Sequence, residues 1–84
     1  MEASSQLTLY GTTWCGASRR VRLFLESHSI PFTWVDIDID PPAARRVEEL
    51  NHGCQSVPTL VWPDGSVMVE PSNERLAEKL GVPL

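Results

Sequence analysis

Hydrophobic and polar positions predict a strand followed by a helix at the start of the chain. Leu7 and Leu9 alternate with Thr8 and Tyr10, which indicates a first strand over residues 6–10. From residue 16 to residue 29, apolar side chains recur every three to four positions. That spacing predicts an amphipathic helix, which Ile30-Pro31 ends.

The segment from residue 32 to residue 39 is rich in β-branched and aromatic side chains and predicts a second strand. We expect Val35, Ile37 and Ile39 on one face of this strand and Asp36 and Asp38 on the other. A second helix then follows, because Asp40 supplies a capping carboxylate and Pro41 suits the first helical position. Its apolar stripe runs to Leu50 and stops at Asn51-His52-Gly53.

The last third of the chain predicts a hairpin and a closing helix. Strands over residues 59–62 and 67–69 flank the turn sequence Pro63-Asp64-Gly65-Ser66. The run Pro71-Ser72-Asn73 opens a third helix, which Gly81 ends. The order is therefore β-α-β-α-β-β-α. It predicts an α/β fold with a four-stranded mixed sheet and three helices, in which residues 1–84 form one domain.

Composition narrows the function and the setting. The net charge of −4 argues against general binding to nucleic acid or to anionic membranes. No apolar run is long enough to span a bilayer, and residues 1–5 lack the features of an export signal. We therefore expect a cytoplasmic protein whose two cysteines stay reduced, which makes redox chemistry a better use for them than a structural disulfide.

Cys15 is the candidate nucleophile, because it lies between the first strand and the first helix. The unpaired N–H groups and the positive dipole end of a helix N-terminus favour a thiolate, which attacks disulfides. A small buried hydrophobic residue is the alternative role for such a cysteine. Ser18 stands where a C-x-x-C motif has its second cysteine. Its hydroxyl either donates to the thiolate or is a passive helix residue, and it cannot resolve a mixed disulfide.

The motifs Trp14-Cys15-Gly16-Ala17-Ser18, Val57-Pro58-Thr59 and Asp64-Gly65 followed by Pro71-Ser72 carry a family resemblance. Together with the element order they resemble the thioredoxin fold in its compact glutaredoxin form, over nearly the whole chain. Within that superfamily the chain is most similar to the mycoredoxins, which use mycothiol. Mycoredoxins have C-x-x-C, whereas this chain has Ser18. Two origins remain open: a natural monothiol member, or a cysteine-to-serine variant made to trap a mixed disulfide.

The resemblance implies roles for several further residues. Pro58 corresponds to the cis-proline of the fold, and the backbone of Val57 is expected to pair with the incoming thiol. The start of the third helix, at Ser72 and Asn73, is expected to hold the carboxylate of the bound small thiol, since helix N-termini suit anions. Trp14 is expected either to cover the sulfur, to dock protein substrates, or to pack half-exposed.

Four other residues received weaker readings. Arg45 falls where glutaredoxins often place a polar thiol-binding side chain, but a solvated surface arginine is the simpler interpretation. Cys54 lies in the loop before Pro58 and is either a surrogate resolving cysteine or an incidental thiol. His28 and His52 are isolated from any cluster with metal-ligand spacing, so we assign no metal site.

The leading functional prediction is a thiol-disulfide oxidoreductase that acts by a monothiol mechanism through Cys15. The resemblance implies mycothiol or glutathione as cosubstrate and thiolated or disulfide-containing proteins as substrates. It also implies a separate NADPH-dependent reductase for the small-thiol disulfide. We expect a monomer without a tightly bound cofactor. The alternatives are an iron–sulfur cluster carrier, suggested by the C-G-x-S motif, and a redoxin-like binding module without turnover.

Overall fold

The structure, a computed structural model, describes residues 6–84, and its elements follow the predicted order. Residues 1–5, on which the expectation about an export signal rested, lie outside the described part. The strands are β1 (Leu7–Gly11), β2 (Phe32–Asp36), β3 (Thr59–Val61) and β4 (Val67–Val69). The helices are α1 (Gly16–Ser27), α2 (Pro41–Leu50) and α3 (Asn73–Leu80).

The sheet is mixed and has the order β2-β1-β3-β4. β1 runs parallel to β2, in register from the pair Leu7 and Phe32 to the pair Gly11 and Asp36. β3 is antiparallel to both β1 and β4. The predicted four-stranded mixed sheet is therefore confirmed. Because β1 and β2 are parallel neighbours, the loops that follow them leave the sheet at the same end.

Two apolar clusters cover the two faces of the sheet, because successive strand residues point to opposite sides. Leu7 and Leu9 of β1 face a large cluster with α1 and α3, whereas Tyr10 packs against the α2 side. The large cluster consists of Leu7, Leu9, Val21, Phe24, Leu25, Leu60, Trp62, Leu76 and Ala77. The smaller one is built on Ile37, Ala43 and Val47. Both α1 and α2 are thus anchored to the central strand.

The second strand is shorter than predicted, and one of its expected faces was wrong. β2 ends at Asp36, whose side-chain Oδ1 accepts the Asp38 N–H at 2.9 Å and whose carbonyl accepts the Ile39 N–H at 3.3 Å. These hydrogen bonds form a turn in place of further strand. Ile37 is buried, but Ile39 is 80% exposed rather than on the same buried face.

The remaining boundaries differ from prediction by one or two residues. β1 extends to Gly11 instead of stopping at Tyr10, and β3 ends at Val61 instead of Trp62. α1 ends at Ser27 rather than Ser29, because Ser29 adopts a left-handed φ of 57° that a helix cannot continue. The predicted helix starts at Pro41 and Asn73 agree with the structure.

Candidate active site

Cys15 occupies the N-cap position of α1, where the chain passes from the loop after β1 into the helix. Its backbone is extended, with φ −82° and ψ 121°, and its carbonyl accepts the first helical N–H, that of Arg19, at 3.1 Å. The side chain is partly buried and forms no disulfide. Its sulfur thus lies at the positive end of a twelve-residue helix.

Hydrogen-bond donors from the first turn of α1 lower the pKa of the Cys15 thiol. The Ser18 hydroxyl contributes most, followed by the Ser18 backbone N–H and, more weakly, the Ala17 N–H. Partial burial and the nearby charge of Glu70 raise the pKa, but by less. The thiol makes no capping hydrogen bond of ordinary length in the structure. We therefore infer that these donors act chiefly on the charged sulfur, which accepts hydrogen bonds more strongly than a neutral thiol.

Ser18 is fully buried and is held against the end of β1. Its Oγ accepts a long hydrogen bond of 3.4 Å from the Thr12 backbone N–H, which leaves the hydroxyl proton available for another acceptor. A Cβ on Gly11 would lie 2.7 Å from the Ser18 Oγ and 2.9 Å from the Trp34 ring. Glycine at position 11 is therefore what lets Ser18 approach the sheet. This packing and the effect on the pKa of Cys15 both favour the hydrogen-bonding role over a passive one.

Thr12 is a feature of the site that the sequence reasoning missed. The side chain is buried, and within residues 6–84 its Oγ1 has no hydrogen-bond partner. A buried polar group without a partner costs about 1–3 kcal/mol. The repeated threonines before Trp14 were the only signal in the sequence, and they do not reveal which hydroxyl is buried.

Trp14 is mostly exposed, with 69% of its side chain open to solvent, and is held by a hydrogen bond rather than by packing. Its indole Nε1–H donates to Oδ2 of Asp38 at 2.6 Å. The structure therefore does not support the interpretation of Trp14 as a half-exposed packing residue. Asp38 was another residue that the sequence analysis gave no role in the site.

The Val57–Pro58 peptide bond is cis, as the resemblance implied, and its loop is tied down on both sides. The Pro58 carbonyl accepts the Glu70 N–H at 2.8 Å. The Thr59 hydroxyl donates to the Ser56 carbonyl at 2.7 Å and accepts from the Asn51 amide at 3.1 Å. These contacts fix the backbone of this loop between α2 and β4.

The start of α3 is linked directly to α1. Ser72 is the N-cap, and its Oγ accepts the Arg75 N–H at 3.1 Å. Arg20 of α1 donates from Nη1 to Oδ1 of Asn73 at 2.7 Å and from Nη2 to the Pro71 carbonyl at 3.0 Å. Both side chains therefore use their acceptor atoms within the protein. The Ser72 hydroxyl proton and the Asn73 amide protons remain as donors.

Arg20 and Glu70 are the residues of this region that sequence reasoning missed. Arg20 lies five residues after Cys15 and belongs to the same helix, but its contacts with α3 span more than fifty positions. Glu70 is exposed and adopts a left-handed φ of 49°, which is uncommon for a residue with a side chain. It lies between the hydrogen bond to Pro58 and the start of α3. No local pattern in the sequence indicates either contact.

The other candidate residues lie apart from these contacts or have structural roles. Cys54 is exposed in the loop between α2 and β3, and Arg45 is exposed on α2. His28 caps the end of α1 and bridges to the C-terminal segment, with its ring nitrogens 3.0 Å from the Phe24 carbonyl oxygen and 2.9 Å from that of Pro83. Among residues 6–84, His, Cys, Asp and Glu side chains form no group of three or more that could hold a metal ion. Over the same residues, no helix combines the length and the apolar character that crossing a membrane requires.

Comparison with protein families finds a match to the glutaredoxin model over residues 7–67 of the chain. Among individual proteins, a candidate glutaredoxin of Mycobacterium tuberculosis is 36% identical over 77 residues, which cover 92% of each sequence. Mycoredoxin 1 of Corynebacterium glutamicum is 29% identical over 76 residues, which cover 90% of this chain and 94% of the relative.

Solved structures resemble the whole fold. The crystal structure of a mutant thioredoxin-like protein superimposes with a TM-score of 0.81 at 24% identity, over 93% of this chain and 97% of the other. The glutaredoxin of Archaeoglobus fulgidus gives a TM-score of 0.78 at 22% identity, over 93% and 88% of the two chains. At these identities the likeness concerns the fold, and it confirms the predicted thioredoxin-like architecture.

Proposed function

The chain belongs to the glutaredoxin family, and on that premise we propose that it reduces mixed disulfides between proteins and mycothiol through Cys15 alone. Family membership makes it a thiol-disulfide oxidoreductase that works with a low-molecular-weight thiol. The monothiol mechanism and the identity of that thiol are the content of the proposal. The observation that carries it is a partly buried Cys15 at the start of α1 with Ser18, not a second cysteine, one helical turn away.

The proposed reaction has two exchange steps. In the first, the Cys15 thiolate attacks the small-thiol sulfur of the mixed disulfide, and the protein leaves as a thiolate that takes up a proton. Cys15 is then joined to the small thiol by a new disulfide. In the second step, the thiolate of a second small-thiol molecule attacks this small-thiol sulfur, which releases the Cys15 thiolate and a symmetrical small-thiol disulfide. A separate reductase returns that disulfide to two thiols with electrons from NADPH.

Ser18 supports the first step and excludes an internal second step. Its hydroxyl and N–H lower the pKa of the Cys15 thiol, which increases the thiolate fraction at neutral pH. The same interactions make the Cys15 thiolate a better leaving group when the second small thiol attacks. A hydroxyl cannot form a disulfide, so Cys15 has no resolving partner at position 18.

The proposed cosubstrate groove lies between the Val57–Pro58 loop and the first turn of α3. We assign the Val57 backbone to align the bound thiol, and Ser72 and Asn73 to donate hydrogen bonds to its polar groups. The link from Arg20 to Asn73 supports this assignment, because it fixes the amide beside the helix that carries Cys15. Donors at a helix N-terminus bind a carboxylate or a hydroxyl oxygen equally well in geometric terms.

Two observations favour mycothiol over glutathione. Relatives named mycoredoxin cover almost the whole chain. The charge of Glu70 acts on Cys15 and opposes an anionic partner. Mycothiol presents sugar and cyclitol hydroxyls, whereas glutathione carries carboxylates that this charge would repel. The proposed cycle also needs a compartment rich in reduced thiols, so the proposal places the protein in the cytoplasm, where we expect it to act as a monomer.

Intact-mass measurement tests the proposal. After incubation with oxidised mycothiol or oxidised glutathione, the chain should gain one small thiol on Cys15, with mycothiol reacting faster. The matched variant Ser18→Cys should instead lose the adduct and two hydrogens, because the introduced thiol can form an internal disulfide. Loss of two hydrogens from the unaltered chain would require a bond between Cys15 and Cys54. That outcome would replace the monothiol mechanism.

A further inference from the structure

The loops after β1 and β2 form a surface that the proposed reaction does not use. Gly11 and Asp36 end the two parallel strands side by side, and the Ile37 N–H donates to the Gly11 carbonyl at 3.0 Å. The loop with Trp14 and Cys15 therefore lies next to the loop with Asp38 and Ile39. We call the surface of Trp14, Asp36, Asp38, Ile39 and Asp40 the acidic face.

Two large apolar side chains of the acidic face are held open to solvent. Trp14 is 69% exposed and Ile39 is 80% exposed. The hydrogen bond to Asp38 satisfies the polar atom of the Trp14 indole, which leaves its ring for apolar contact. The turn at Asp36 fixes the backbone of Ile39. Fully burying such a side chain is worth about 1.5–3 kcal/mol, which a partner gains if it covers the pair.

A hollow of about 360 Å³ adjoins these side chains, lined by Trp34, Val35, Asp36, Ile39 and Asp40. β2 is an edge strand of the sheet, so nothing in residues 6–84 pairs with its outer side. The hollow has the size of a site for one or two side chains of a partner.

Charge identifies the kind of partner. Asp36, Asp38 and Asp40 place three carboxylates within five residues, and none of them forms a salt bridge with a residue of the described part of the chain. Arg22 is engaged in stacking on the Trp34 ring, 4.4 Å from its centroid. A negatively charged rim around exposed apolar side chains complements a segment that carries both lysine or arginine and an apolar residue.

From this charge and shape, we propose that the acidic face docks protein substrates whose thiolated cysteine is flanked by a basic and an apolar side chain. This inference rests on the proposed function, since the docked segment is the protein half of the mixed disulfide. Docking there brings its disulfide next to Cys15, which directly follows Trp14. The expected effect is faster encounter, because electrostatic steering raises association rates by about tenfold or more at low salt.

Two peptides that differ only in the flanking residues test the proposal. Both carry the same small thiol on one cysteine next to a leucine, and one has two lysines where the other has two glutamates. The unaltered protein should reduce the lysine peptide with about tenfold higher kcat/KM at low ionic strength. This preference should shrink as salt is added, because salt screens exposed charges.

The matched variant replaces all three aspartates by asparagine, which keeps the turn and cap hydrogen bonds and removes the charges. It should reduce both peptides with nearly equal kcat/KM, while its reaction with the free small-thiol disulfide is unchanged. The control variant removes the same number of charges elsewhere and should keep the preference. It combines Glu26→Gln, Glu49→Gln and Glu78→Gln.

Each failure has a distinct signature. Equal kcat/KM for the two peptides in the unaltered protein, with normal reaction of Cys15 with the small-thiol disulfide, would overturn the docking proposal alone. A Cys15 that accepts no small thiol would overturn the proposed function. A dimer at low salt that the asparagine variant abolishes would assign the acidic face to a second copy of this chain instead.

Discussion

The two cysteines of this protein lie in contrasting regions. Cys15 is partly buried at the start of α1, where the Ser18 hydroxyl and the N–H groups of Ser18 and Ala17 lower its pKa. Cys54 is exposed in the loop between α2 and β3, and its backbone N–H donates to the Asn51 carbonyl at 3.2 Å. Identical side chains thus meet different surroundings. We infer that the donors around the sulfur, more than its exposure, select the nucleophile.

Replacing each cysteine in turn should give the largest difference. Cys15→Ser should abolish turnover, because a serine hydroxyl is neither a thiolate nor able to form a disulfide. Cys54→Ser should leave kcat and KM nearly unchanged, since the proposed cycle does not use that thiol. Steady-state reduction of a mixed disulfide measures both variants. A large loss in Cys54→Ser would mean that the exposed cysteine takes part in the cycle.

A smaller effect should separate the nucleophile from cosubstrate recognition. The double variant Ser72→Ala, Asn73→Ala removes side-chain donors from α3, and one hydrogen bond to a charged group is worth about 1.5–3 kcal/mol. We expect a several-fold higher KM for the small thiol disulfide and a nearly unchanged alkylation rate of Cys15. The reason is that α1, not α3, supplies the donors to the sulfur.

The control for this variant is the loss of a helix cap elsewhere. Asp40→Ala removes the N-cap hydrogen bond of α2, from the Ala43 N–H to Asp40 Oδ1, without touching the proposed groove. Its KM for the small thiol disulfide should stay normal. Unaltered kinetics of the double variant with both mycothiol and glutathione substrates would mean that the groove is placed wrongly.

Local signals explain which parts of the fold were predictable from the sequence. Asp40 and Ser72 cap α2 and α3 through their own side chains, and Gly81 ends α3 with a left-handed φ of 71°. Each of these features depends on residues within one turn of the chain. The alternation in β1 likewise reported its two faces directly. Cys15 was identified for the same reason, because a strand-to-helix junction is visible in a short window.

Features that depend on distant contacts were not predictable. Ile39 continues the alternation of β2, but the side chain of Asp36 turns the chain before it. The hydrogen bonds from Arg20 to Pro71 and Asn73 join residues more than fifty positions apart. Glycine at position 11 is needed because Ser18 and Trp34 converge on it, and neither is its neighbour in sequence. Periodicity carries no information about such convergence.

The pH dependence of alkylation tests the central claim most directly. With iodoacetamide and peptide mapping, the rate at Cys15 should rise through a pKa below the usual thiol value, and at pH 7 Cys15 should react well before Cys54. Ser18→Ala should move the Cys15 midpoint to higher pH, because the largest stabilising donor is lost. Each unit of that shift lowers the thiolate fraction at pH 7 about tenfold. Equal rates at the two cysteines, a faster Cys54, or a Cys15 midpoint that Ser18→Ala leaves in place would contradict the account.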